Sequence, residues 1–221
     1  SNQPIDEATK SYDLFGIRFA QFIKLTSDVR YYRVLTKKSQ VVSRAAVGVG
    51  IPLRNLNEAL PFQKSFFSGG ANGMRAWKAR TLGPGAYYDS TGSFDKIGDI
   101  QLESNMEFRF PLISWVEGAW FVDAGNIWLI HEDSLRTNAH FDPTRFISEI
   151  AIGTGLGLRM DLDFFVIRFD FALPFRNPAL PVADRWIFQG GMRGTSKING
   201  VDVERNKFFK MQFNLGIGYP F

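Results

Sequence analysis

Apolar and polar residues alternate one by one over long stretches of this chain. In Phe209–Phe221, one face carries Phe209, Met211, Phe213, Leu215, Ile217, Tyr219 and Phe221, and the other carries Lys210, Gln212, Asn214, Gly216, Gly218 and Pro220. A period of two predicts a β-strand. Residues 149–160 set Ile150, Ile152, Leu156 and Leu158 against Glu149, Gly153, Gly155, Gly157 and Arg159. Residues 163–173 set Phe165, Ile167, Phe169 and Phe171 against Arg168 and Asp170. Residues 100–110 set Leu102, Met106, Phe108 and Phe110 against Gln101, Glu103, Asn105, Glu107 and Arg109. Trp115–Trp128, Val41–Ile51 and, less cleanly, Phe15–Leu35 complete seven predicted strands. All exceed the usual 5–6 residues.

The connections alternate as strictly as the residues. Short ones fall near Thr36–Gln40, Pro111–Ser114 and Met160–Asp163, and long ones near Pro52–Ile97, Leu129–Ser148 and Pro174–Lys207. In an antiparallel meander this puts tight turns at one end and large loops at the other. A soluble sandwich with one wet face rarely sorts its loops so, whereas a transmembrane β-barrel does. Glu107, Arg109, Arg159, Arg168, Asp170 and Lys210 then face the lumen. A charge on the lipid face would cost about 2–4 kcal/mol at mid-membrane, and the cleanest strands carry none there. Tyr31, Trp115, Trp128, Tyr219 and Phe221 at strand ends suit interfacial girdles. The fold class is therefore all-β: an antiparallel meander forming the C-terminal half of a transmembrane barrel. Counting back from a last strand that ends at the periplasmic side, the first strand starts outside, with residues 1–14 in an extracellular loop. Bacterial single-chain barrels have an even strand number with both ends periplasmic, so seven strands read as part of a larger barrel.

Composition agrees. Hydrophobic residues make up 45% of 221, with 22 Phe, yet mean hydropathy is −0.11, so the apolar residues are interleaved. No run approaches the roughly 18 apolar residues of a membrane helix. Cysteine is absent, which excludes disulfides, zinc-thiolate sites and thiol nucleophiles. A net charge of +4 without a basic run does not suggest nucleic acid. His131 and His140, nine apart in an expected loop, match no metal-ligand spacing. Ser68 lacks the G-x-S-x-G elbow. Gly153, Gly155 and Gly157 share one strand face and open no helix, so they form a flat stripe rather than a dinucleotide site. No catalytic residue, metal or cofactor is expected.

The Gly-rich segment Phe67–Gly85 lacks the phosphate-loop pattern G-x-x-x-x-G-K-[ST]. With its flanks, "LPFQKSFFSGGANGMRAWKARTLGPG", followed by "GDIQLESNMEFRFPL", "GAWFVDAGNIW" and a terminal Phe, it resembles the Omp85 superfamily of BamA- and TamA-like surface antigens. The resemblance covers essentially the whole chain from about residue 20. It implies that the loop of about 52–97, with Gly69 and Gly70 near its tip, folds back into the lumen. The family's tetrad corresponds to Met74, Arg75, Ala76 and Trp77, with Ala76 where the family has Gly. The tetrad Arg is implied to reach acids at Glu107 and Asp123, which the alternation independently turns inward. Trp77 is expected on the Gly153–Gly157 stripe. Asn214, Gly216, Tyr219 and Phe221 fit the outer-membrane β-signal, with Phe221 as a membrane anchor.

The resemblance further implies insertion of outer-membrane proteins, or polypeptide translocation, in the outer membrane of a Gram-negative bacterium. Its partners would be outer-membrane lipid, client outer-membrane or secreted polypeptides, and accessory assembly lipoproteins bound through domains missing here. POTRA domains and the first barrel strands are expected outside residues 1–221, and the fragment is not expected to act alone. The alternatives are a two-partner secretion transporter and a passive outer-membrane pore or structural barrel.

Overall fold

The computed structural model describes residues 5–6, 11–14, 17–53, 56, 60–89, 92, 94–189, 192 and 194–221, with side chains from residue 19 onward. Seven strands form one antiparallel sheet in sequence order: β1 (Gln21–Thr36), β2 (Ser39–Leu53), β3 (Ile100–Ile113), β4 (Val116–Trp128), β5 (Ala151–Asp161), β6 (Val166–Arg176) and β7 (Gln212–Ile217). The meander is open, with β1 and β7 at its edges. Thr36↔Ser39, Ile113↔Val116 and Asp161↔Val166 close the three tight turns, and the long connections lie at the other end.

The two faces differ as a lumen and a lipid face must. Val29, Val47, Met106, Trp120, Leu156, Phe171, Phe213 and Leu215 are exposed on one side. An apolar surface this continuous belongs against a membrane. On the other side Glu103, Asn105, Glu107, Arg109, Asp123, Arg159, Arg168 and Asp170 are buried, because the loop between β2 and β3 covers them.

Several boundaries differ from the sequence reading. The first long strand begins at Gln21; Phe15 and Gly16 lie outside the described residues, as do parts of the 52–97 loop (54, 55, 57–59, 90, 91 and 93). The short strands Ile5–Asp6, Ser11–Leu14 and Ile17–Arg18 form a separate small sheet. Trp128 is no girdle residue: it is fully buried, and its indole N–H donates to Glu149 Oε2 at 2.7 Å. Glu149 precedes β5 in a 3₁₀ turn. The third long connection holds a hairpin, Thr195–Ile198 with Val201–Glu204, turning on Asn199 and Gly200, both at positive φ.

The largest correction concerns the C-terminus. The last strand stops at Ile217, and Gly218, at φ +83°, turns the chain out of the extended path. Glycine adopts this conformation without a Cβ penalty. Pro220 and Phe221 are buried rather than lipid-facing. At the strand's other end Phe209 packs with Leu180, Ile198 and Val203 among the long connections, not on the outer face.

Candidate functional site: a loop anchored in the lumen

The loop is built from tight turns. Phe66 and Gly98 exchange backbone hydrogen bonds (2.8 and 3.0 Å), closing its base. Trp77 N–H donates to Met74 O at 3.0 Å, so the segment Met74–Trp77 is itself a turn. Gly69 sits at φ +102° with the Lys78 carbonyl where a Cβ would project. A side chain at 69 would have to displace backbone.

Arg75 stands at the tip, fully buried. Its Nε and Nη2 donate to Asp123 Oδ2 and Oδ1 at 2.9 and 2.8 Å, its Nη1 donates to Glu107 Oε2 at 2.5 Å, and its backbone N–H adds a bond of 3.1 Å to Asp123. The planar fork of guanidinium matches this two-carboxylate arrangement as an ammonium cannot. Asn105 Nδ2 donates to Asp123 Oδ1 at 2.9 Å and to Gly73 O at 3.0 Å, holding the acid and the loop together. The Phe121 ring lies under the guanidinium, 3.5 Å from its carbon.

The network extends along the wall. Glu107 also accepts from Arg109 Nε (2.7 Å) and Arg159 Nη2 (2.9 Å), and Arg159 Nη1 donates to Asp170 at 2.6 Å. Arg44 bridges Asp28 on β1 to Glu103 on β3. Arg168 reaches Asn72 in the loop at 2.8 Å. The sequence reading missed Arg44, Asp28 and Asn72 as members; the inward parity of Arg44 and Asp28 was the available signal.

The loop also touches the last strand. Asn214 Nδ2 donates to Arg75 O at 2.9 Å, and the Phe221 ring lies 5.5 Å from the Arg75 guanidinium. Tyr219 stacks under Arg109 at 4.1 Å. Of the β-signal positions, Asn214 and Gly216 thus face the lumen within β7, while Tyr219 and Phe221 lie beyond the strand and fold toward the network. Phe221 is a lumen contact, not a membrane anchor. The glycine stripe is shared: Gly153 faces Ala76 and Trp77, Gly155 faces Phe121, and Gly157 faces Arg159 and Asp170. Trp77 therefore takes only the first of the three, and the Ala76 methyl fits because residue 153 has none.

The Omp85 superfamily domain matches residues 13–221, nearly the full chain. The chain belongs to the Omp85 superfamily. Membership makes it part of an outer-membrane β-barrel. Among solved structures it is similar to BamA from Haemophilus ducreyi lacking POTRA domains 1–3, with a TM-score of 0.60 and 16% identity over 90% of this chain. The likeness is one of fold. This chain spans 35% of that one, so it corresponds to about a third of its length.

The tail contact can be checked directly, since the chain has no cysteine of its own. In detergent, and with any cysteine outside residues 1–221 replaced, a Phe221→Cys variant of the full-length Omp85 protein should react with a maleimide at least tenfold more slowly than a Lys38→Cys variant in an exposed turn. Equal rates would place the terminal residue outside the lumen.

Proposed function

We propose that this Omp85 chain is the C-terminal part of a barrel that inserts outer-membrane proteins into the bilayer, or passes polypeptides across it, in a Gram-negative bacterium. The observation carrying this reading is the short last strand. β1 to β6 run 16, 15, 14, 13, 11 and 11 residues, but β7 has six, in register with β6 from Gln212↔Ala172 to Ile217↔Ile167. A membrane-spanning strand needs about 9–11. The outer edge of β7 is therefore a weak closing edge, to which a client strand can add by β-augmentation. Gly216, within β7, weakens pairing further.

The lumen loop counts against a passive pore, because it covers the charged face that an open pore would leave to water. Clients and accessory lipoproteins would be gathered by POTRA domains elsewhere in the protein. The proposed action is mechanical and uses no cofactor.

The test is reconstitution of the full-length protein in liposomes, with a denatured outer-membrane barrel as client. A disulfide joining β7 at Leu215 to the barrel's first strand should reduce client insertion at least tenfold, and reduction of that disulfide should restore it. Undiminished insertion through a locked seam would overturn the proposal.

A further inference from the structure

A cavity of about 410 Å³ opens where the lumen loop meets the start of β7 and the β6–β7 connection. Its charged lining is lopsided: Lys78, Lys96, Lys207 and Lys210 against one acid, Asp89. Asp89 already accepts backbone N–H groups from Gly92 (2.9 Å) and Phe94 (3.0 Å). Lys78 and Lys210 form no ion pair among the described residues, and Lys207 reaches only Glu204, at 4.0 Å. Lys96 is part-buried beneath the Tyr87 ring, its ammonium 5.1 Å from the centroid. Burial holds that ammonium below the usual lysine range, against the pull of Asp89. An anion in the cavity would relieve the cost of keeping it charged.

The choice of cation is informative. In the lumen, carboxylates are met by arginines: Arg44, Arg75, Arg109, Arg159 and Arg168. Guanidinium suits planar, bidentate recognition of carboxylates and phosphates alike, whereas a lysine ammonium is a point charge that binds phosphate without a planar fork. This cavity has lysines alone, beside Trp77, Tyr87, Tyr88 and Phe208 as an aromatic wall. Its size lies in the range of small-molecule sites.

We infer that this cavity is a binding site for a phosphate group, held by Lys78, Lys96 and Lys210 at the loop end of the barrel. The phosphate is carried on a body whose flat or apolar part lies on the aromatic wall, or it is free in solution. The glycine-rich turn does not cradle it; side-chain ammonium groups do. Because Lys78 follows Trp77 directly and Lys210 leads into β7, an occupant would tie the lumen loop to the closing strand.

The test uses the full-length protein in neutral detergent. Calorimetry with inorganic pyrophosphate reads the free source, and native mass spectrometry with phosphatidic acid against diacylglycerol reads the lipid source. Binding in either arm is expected to weaken at least tenfold in Lys78→Gln/Lys210→Gln, whose side chains are exposed and replaceable without a core defect. It should be unchanged in Lys37→Gln/Lys38→Gln at the opposite end. Pyrophosphate binding assigns a soluble phosphate, and binding of phosphatidic acid alone assigns a lipid headgroup. Three results overturn the inference: no binding in either arm, binding insensitive to the Lys78/Lys210 change, or a hexaglutamate peptide binding as tightly as pyrophosphate.

Discussion

Replacing Arg75 with alanine in the full-length Omp85 protein is expected to lower its stability by about 3–5 kcal/mol, the usual cost of breaking one side of a buried ion pair. Glu107 and Asp123 are both fully buried: Asp123 would lose the guanidinium that holds both its oxygens, and Glu107 would lose one of its three arginines, keeping Arg109 and Arg159. The loop would also lose the Arg75 side chain that rests on Phe121 and Phe221. Two readouts follow. The urea midpoint of barrel unfolding should fall. Chymotrypsin added from outside should cut after Trp77, which is buried in the anchored loop. Arg75→Lys should recover less than half of the loss, since one ammonium cannot serve Asp123 in bidentate fashion and Glu107 together. An Arg75→Ala protein with an unchanged midpoint and an uncut loop would show that the anchor is dispensable.

Glu107→Gln is the second substitution of large expected effect. The Glu107 carboxylate accepts from Arg75, Arg109 and Arg159. An amide keeps the shape, but removes the charge and turns an NH₂ toward guanidinium donors. Three buried cations would then share less negative charge. A loss of about 3–5 kcal/mol is expected, read from the same urea midpoint. Coupling provides a control. Arg159→Gln combined with Glu107→Gln should cost less than the sum of the single changes, by about 0.5–3 kcal/mol as for residues in one network. Strict additivity would mean that Glu107 and Arg159 act independently.

The strand interiors were legible because lipid on one side and a charged lumen on the other force strict alternation. Glu103, Asn105, Glu107 and Arg109 fall on one parity of β3 and are buried, while Ser104 and Met106 fall on the other and are exposed. The sorted loops gave the order of the meander for the same reason: opposite ends of a barrel meet different surroundings. The ends of strands were less legible. Gly218 reverses the chain through one backbone angle, and Phe221 still carries the parity of a lipid-facing residue. Trp128 reads as an interfacial aromatic until Glu149, distant in sequence, supplies its acceptor. The loop hairpin was missed although Asn199–Gly200 announces it, since that dipeptide favours the positive φ of a tight hairpin turn. Within the site, parity could turn Glu107 and Asp123 inward, but not find Asn214 on the Arg75 carbonyl, a contact spanning 139 positions.

The central claim is that the loop lies inside the barrel, held at Arg75. A cryo-microscopy structure of the full-length protein in a lipid bilayer tests it most directly, through the distance from the Arg75 guanidinium to the Asp123 and Glu107 carboxylates. The account predicts contacts of about 3 Å to both, with the loop filling the lumen. A guanidinium in solvent, more than about 4 Å from both carboxylates, would contradict it.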